Sequence, residues 1–183
     1  MKKSLALLSL ICAGAMSIPA GAAYAGSWDD DALNATRNSN AEEFCTDALT
    51  MRIGPKAISL PTSGATITKT ELVPATDTVG EYCQIEGSIH PVDPNAPDIR
   101  FQATLPTDWN GRALQFDGGY NGSIPNTLGK PTLGLDDAPT PLAQGYLTFA
   151  DDSGHQASSG DASFALNDEA LLNYGLHAHE EDP

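Results

Sequence analysis

The sequence predicts an α/β fold, and three observations predict it. Residues 82–90 and 99–105 alternate apolar and polar side chains on either side of a proline- and aspartate-rich turn. Two short apolar strands, 113–116 and 145–150, each run into a glycine- or aspartate-rich loop. A capped helix then opens at Asn167. Antiparallel strands leading into strand–loop–strand–helix read as the opening of an α/β sheet.

The elements follow in chain order. Residues 1–25 read as a secretory signal: Lys2 and Lys3 form a basic start, Leu5 to Ile18 is an apolar run, and Ala23-Tyr24-Ala25 supplies a small-x-small cleavage pattern. The run is too short and too weakly flanked for a stable transmembrane helix. A lipoprotein anchor at Cys12 is the alternative, although Ile11 stands before it where a small residue is expected. Residues 26–36 are polar and acidic. Asn40 to Met51 places Phe44, Ala48, Leu49 and Met51 close to i, i+4 spacing, with Glu42 and Glu43 in the first turn, so a short helix carries Cys45. Ile67 to Val73 is a short strand stopped by Pro74.

In the strand Tyr82–His90, Cys83, Ile85, Gly87 and Ile89 share one face, and Gln84, Glu86 and Ser88 the other. The turn 91–98 joins it to Ile99–Leu105 in an antiparallel hairpin that Pro106 ends. Trp109-Asn110-Gly111 turns the chain into Ala113–Phe116, after which comes the loop Asp117-Gly118-Gly119-Tyr120-Asn121-Gly122. A proline- and glycine-rich stretch covers 123–141. Gly145–Ala150 is the next strand, with Asp151-Asp152-Ser153-Gly154-His155 at its end. The final helix carries Ala170, Leu171, Tyr174 and Ala178 on its apolar side.

Composition narrows the function classes. The 183 residues hold 9 basic and 24 acidic side chains, a net charge of −15, with 40% hydrophobic residues. That hydrophobic content supports a core, and the length suits one domain. An acidic surface repels phosphate backbones, which disfavours nucleic-acid binding. Gly 17 and Pro 13 point to many turns and argue against a coiled coil. Cleavage after Ala25 removes Lys2, Lys3 and Cys12, leaving 158 residues, a charge of −17 and the pair Cys45 and Cys83. An even pair in an exported protein reads as a disulfide closing a 38-residue loop, with two buried free thiols as the alternative.

Several constellations invite a chemical reading. The adjacent glycines Gly118 and Gly119 free the backbone to aim N–H groups at a ligand or an oxyanion. Neither a dinucleotide fingerprint nor a Walker pattern accompanies them. Asp151 to His155 contains the residue types of a Ser-His-Asp triad, but five adjacent residues cannot form the relay, so the turn reads as structural. His177 and His179 lie two apart on a helix and face different ways, which opposes joint metal binding, and no other metal-ligand spacing occurs. The acidic pairs 136–137 and 151–152 read as solvated. No serine sits in G-x-S-x-G: Ser123 is flanked by Asn121 and Pro125, Ser153 by Asp151 and His155.

The ordered motifs resemble the tannase and feruloyl esterase family of secreted α/β-hydrolases. They are Tyr82-Cys83-Gln84-Ile85-Glu86-Gly87, Ile99-Arg100-Phe101-Gln102 and Leu105-Pro106, then Asp108-Trp109-Asn110-Gly111-Arg112 and Gly118-Gly119-Tyr120-Asn121-Gly122. Asp152-Ser153-Gly154-His155, Asp161-Ala162-Ser163-Phe164 and Asn167-Asp168-Glu169-Ala170 complete the series, which covers about residues 40–180. The resemblance implies a serine esterase acting on phenolic-acid esters such as those of gallate or ferulate. It implies Gly118 and Gly119 as one half of the oxyanion hole and Cys45–Cys83 as the family's N-terminal disulfide. Phe116 and Asp117 depart from the pattern, where relatives usually carry Gly and then Gly or Asn. The family's nucleophile lies in a Gly-Cys-Ser-x-Gly-Gly elbow, followed by a lid with a calcium site and by the catalytic Asp and His. All of these fall beyond Pro183. The expectation is therefore an incomplete α/β-hydrolase fold, truncated before the nucleophile elbow and inactive alone, secreted or periplasmic, with no cofactor, nucleic acid or membrane partner. A non-catalytic exported binding or interaction module is the alternative.

Overall fold

A computed structural model describes residues 41–58, 61–116, 122–130, 138–156 and 160–179, with side chains as far as Gly175. It contains one six-stranded mixed sheet with a helix early and a helix late in the chain. Helix α1 is Ala41–Ala48. Strands β1 to β6 are Arg52–Ile53, Gly64–Val73, Tyr82–His90, Ile99–Pro106, Ala113–Gln115 and Leu147–Asp151, and helix α2 is Asp168–His179. The sheet order is β1-β2-β3-β4-β6-β5.

The hairpin forms in the expected register. β3 and β4 pair antiparallel from Tyr82 opposite Pro106 to Ile89 opposite Ile99. Cys83, Ile85 and Gly87 are buried on the face that alternation assigns to the core. Gly87 is needed there because the Phe101 ring crosses it, and a Cβ would also stand 2.6 Å from the Thr66 carbonyl oxygen. β2 begins at Gly64, three residues before the alternating run, and carries a bulge between Ile67 and Lys69. The two-residue β1 pairs with its start, a strand too short to leave a periodic signal.

Helix α1 packs on β2 and β3, and the disulfide Cys45–Cys83 fastens it there with Cα atoms 5.6 Å apart. Cys45, Ala48, Ile67, Ile85, Ala103 and Leu147 belong to the resulting core. The sheet's other face is covered around β4 and β6, where Thr104 and Thr148 are fully buried and their hydroxyls bond to each other. Segment 122–130 contributes to this cover, since Gln102 Nε2 donates to the buried Thr127 hydroxyl at 2.6 Å.

Asn167 caps α2: its Oδ1 accepts the Ala170 N–H at 2.9 Å. Glu169 then reaches back to the β3–β4 turn, accepting the Val92 N–H at 2.8 Å and the Asp93 N–H, while Asn167 Nδ2 donates to Asp93 at 2.7 Å. The helix is thus held by its polar first turn. Its apolar side differs from the expectation: Ala170 is buried, but Leu171 and Leu172 are about half exposed and Asn173 is buried. The docking turn rotates the helix so that Asn173, rather than Leu171, faces the protein.

Candidate functional site

β5 and β6 are the parallel pair, with Ala113 opposite Leu147 and Gln115 opposite Phe149. One further bond, Phe116 N–H to the Phe149 carbonyl at 2.8 Å, carries the pairing to the end of β5. The chain therefore leaves β5 toward residue 117 at the same sheet edge where β6 ends at Asp151. In open α/β sheets, ligands bind at this carboxyl edge. Asp117, Gly118, Gly119, Tyr120 and Asn121 lie outside the described residues, as do Asp136 and Asp137. The side chains of His177, Ala178 and His179 do so as well.

The turn 152–156 lies at this edge, and Asp152 organises it. Its carboxylate is fully buried, against the expectation that the acidic pair 151–152 is solvated. Oδ1 accepts the Arg100 and Gly154 N–H groups at 2.9 and 3.0 Å, and Oδ2 accepts Arg100 Nε at 2.8 Å and Gln156 Nε2 at 2.9 Å. Partnered N–H donors and a cation compensate the desolvation of the charge. The carboxylate thus locks the end of β6 to the start of β4. Sequence alone offers a faint signal for this: of two adjacent aspartates ending a strand, alternation turns one inward.

Ser153 adopts a left-handed conformation at φ 55° with its N–H on Asp151 Oδ1 at 2.8 Å. His155 is buried, its Nε2 2.9 Å from the Asp161 carbonyl oxygen, so that nitrogen carries the proton. The imidazole packs against Phe164 at 4.3 Å with the rings tilted by 47°, and meets Tyr174 edge-on at 5.8 Å. Asp152 bonds Arg100, Gly154 and Gln156, while His155 bonds the Asp161 carbonyl and meets both rings. Backbone and hydroxyl donors of Ser163 hold Asp161 below its ordinary carboxylate range. Among the described residues, no three His, Cys, Asp or Glu side chains gather to hold a metal ion, and no helix is long and apolar enough to cross a membrane.

The chain is 56% identical over 141 residues to a protein of Agrobacterium fabrum named as an uncharacterized esterase, covering 74% of this chain and 26% of that one. It is 28% identical over 112 residues to the mono(2-hydroxyethyl) terephthalate hydrolase of Piscinibacter sakaiensis, covering 55% of this chain and 18% of the relative. A solved structure, the tannin acyl hydrolase from Aspergillus niger, aligns with a TM-score of 0.41 at 23% identity, over 73% of this chain and 26% of that one. The chain spans about a quarter or less of the length of the curated relatives it matches. The profile described as Tannase and feruloyl esterase matches residues 83–181, from the second residue of β3 to beyond α2. With more than half of its length inside that match, the chain belongs to the tannase and feruloyl esterase family.

Proposed function

We propose that this chain contributes the oxyanion-binding side of the active site of an exported serine esterase that cleaves phenolic-acid esters such as those of gallate or ferulate. The observation that carries the reading is the parallel β5–β6 pair, which ends β5 at the carboxyl edge that Asp152 anchors, within the family match. Backbone N–H groups around Gly118 and Gly119 hold the oxygen of the tetrahedral intermediate, where preorganised donors act most strongly. None of the 183 residues is a serine in G-x-S-x-G, which supports a reading in which the attacking serine stands outside them. The terephthalate ester named for the Piscinibacter relative supports an aromatic acyl group as the part recognised.

The test has two arms. The 183-residue chain, incubated with methyl gallate or methyl ferulate, releases acid at the buffer rate; turnover sensitive to a serine inhibitor overturns its inactivity. Residues 41–181 are also exchanged for the matching region of the Agrobacterium esterase. The chimera releases gallate or ferulate, and Gly119→Pro lowers its kcat about 100-fold, the scale of one lost oxyanion donor. A cooperatively melting chimera that cleaves p-nitrophenyl acetate faster than the 183-residue chain does, but neither phenolic ester, overturns the substrate class.

A further inference from the structure

On the solvent face of the sheet, three side chains from three elements form a hydrogen-bonded series. Thr66 on β2 lies with its Oγ1 2.9 Å from His90 Nε2, at the end of β3. His90 Nδ1 lies 3.1 Å from Asp98 Oδ1, in the turn before β4. The imidazole and carboxyl side chains are 36% and 42% exposed, so the series is open to small molecules.

The tautomer follows from the partners. A carboxylate can only accept, so Nδ1 must carry the proton that bonds Asp98. In the neutral imidazole this leaves a lone pair on Nε2, and the Thr66 hydroxyl donates to it. That is the order of roles in nucleophilic catalysis: a hydroxyl, a base within hydrogen-bond reach, and an acid that orients the base. The sheet register adds a cation. Arg52 stands directly opposite Thr66 across the β1–β2 ladder, is exposed, and shares its face. Directly opposed residues have Cβ atoms about 5 Å apart, within reach of an arginine side chain.

We propose that Thr66, His90 and Asp98 form a second nucleophilic centre that accepts acyl groups from small aryl esters. Thr66 Oγ1 bonds to the ester carbonyl carbon while His90 Nε2 takes its proton. The C–O bond to the aryl group breaks, and the aryloxide leaves with the proton from Nε2 as the free phenol. Thr66 is left O-acylated, and a water deprotonated by His90 later releases the carboxylic acid. Arg52 faces the developing oxyanion from the cross-strand position. The centre needs no residue of the proposed esterase site.

The experiment incubates the 183-residue chain with p-nitrophenyl acetate and maps acetylated residues by peptide mass spectrometry. Acetyl accumulates on Thr66 ahead of Thr68 and Thr70 on the same strand. Thr66→Val abolishes it and Thr66→Ser retains it. His90→Gln lowers the rate of p-nitrophenol release about 100-fold and Asp98→Asn about 10-fold, the span expected of base catalysis and its orientation. All four variants are at exposed or half-exposed positions, and a cooperative melt confirms that each folds. Equal labelling of Thr66 and Thr68, or undiminished labelling in folded His90→Gln, overturns the proposal.

Discussion

Asp152 shows how much one side chain decides at the residue scale. Alanine there leaves the Arg100 and Gly154 N–H groups without their acceptor beside a buried strand end. Each unsatisfied buried donor costs about 1–3 kcal/mol, so Asp152→Ala is expected to lower the unfolding free energy by about 3 kcal/mol. Urea denaturation measures it; a loss below about 1 kcal/mol means the carboxylate does not anchor the edge. This role is barely legible in the sequence, because two adjacent aspartates give no sign which one the fold buries. His90 and Asp98 differ in this respect. Once Ile89 is set opposite Ile99, the neighbouring pair meets across the hairpin, whereas Thr66 joins only through the pairing of β2 with β3.

At the scale of elements, the disulfide is the tie whose loss has the clearest magnitude. It fastens α1 to β3 across 38 residues. The chain-entropy account assigns such a loop about 4 kcal/mol. For a chain of this size, reduction or the Cys45→Ala/Cys83→Ala variant is expected to lower Tm by about 10 °C. Calorimetry with and without reductant checks this; an unchanged Tm places α1 outside the cooperative unit. Strands β3 and β4 were legible to within a residue because alternation persists over a whole strand and a proline-rich turn separates them. β1 was not legible, since two residues carry no period. In α2 the cap at Asn167 was legible but the buried face was not, because Glu169 and Asn167 orient the helix through the β3–β4 turn rather than through its leucines.

Across the whole molecule, charge and pH act in opposite directions. Net charge is −15 with a pI near 4.3, so acidification toward that value relieves self-repulsion. Asp93 and Asp161 oppose this at lower pH. The Asn95 N–H and the Asn167 amide depress the Asp93 carboxyl below its ordinary 3.8, and Ser163 donors depress Asp161. A depressed folded value means that the unfolded chain binds more protons near pH 3–4, so this stability is present above about 3.8 and is lost as pH falls through the folded values. Tm is therefore expected to hold or rise from pH 7 to about 4.5 and to fall below about 3.8. Asp93→Asn and Asp161→Asn should flatten the acid limb; a limb equally steep in both variants assigns it to other carboxylates. By itself, the sequence determined the α/β class, the β3–β4 hairpin, the cysteine pair and the family, because periodicity, turn chemistry and motif order are properties of neighbours along the chain. Only the tertiary structure decided that β5 and β6 run parallel, that Asp152 is buried, and that Thr66, His90 and Asp98 meet. Those facts depend on which distant strands pair and which faces they cover, and hydrogen bonding across the sheet settles both.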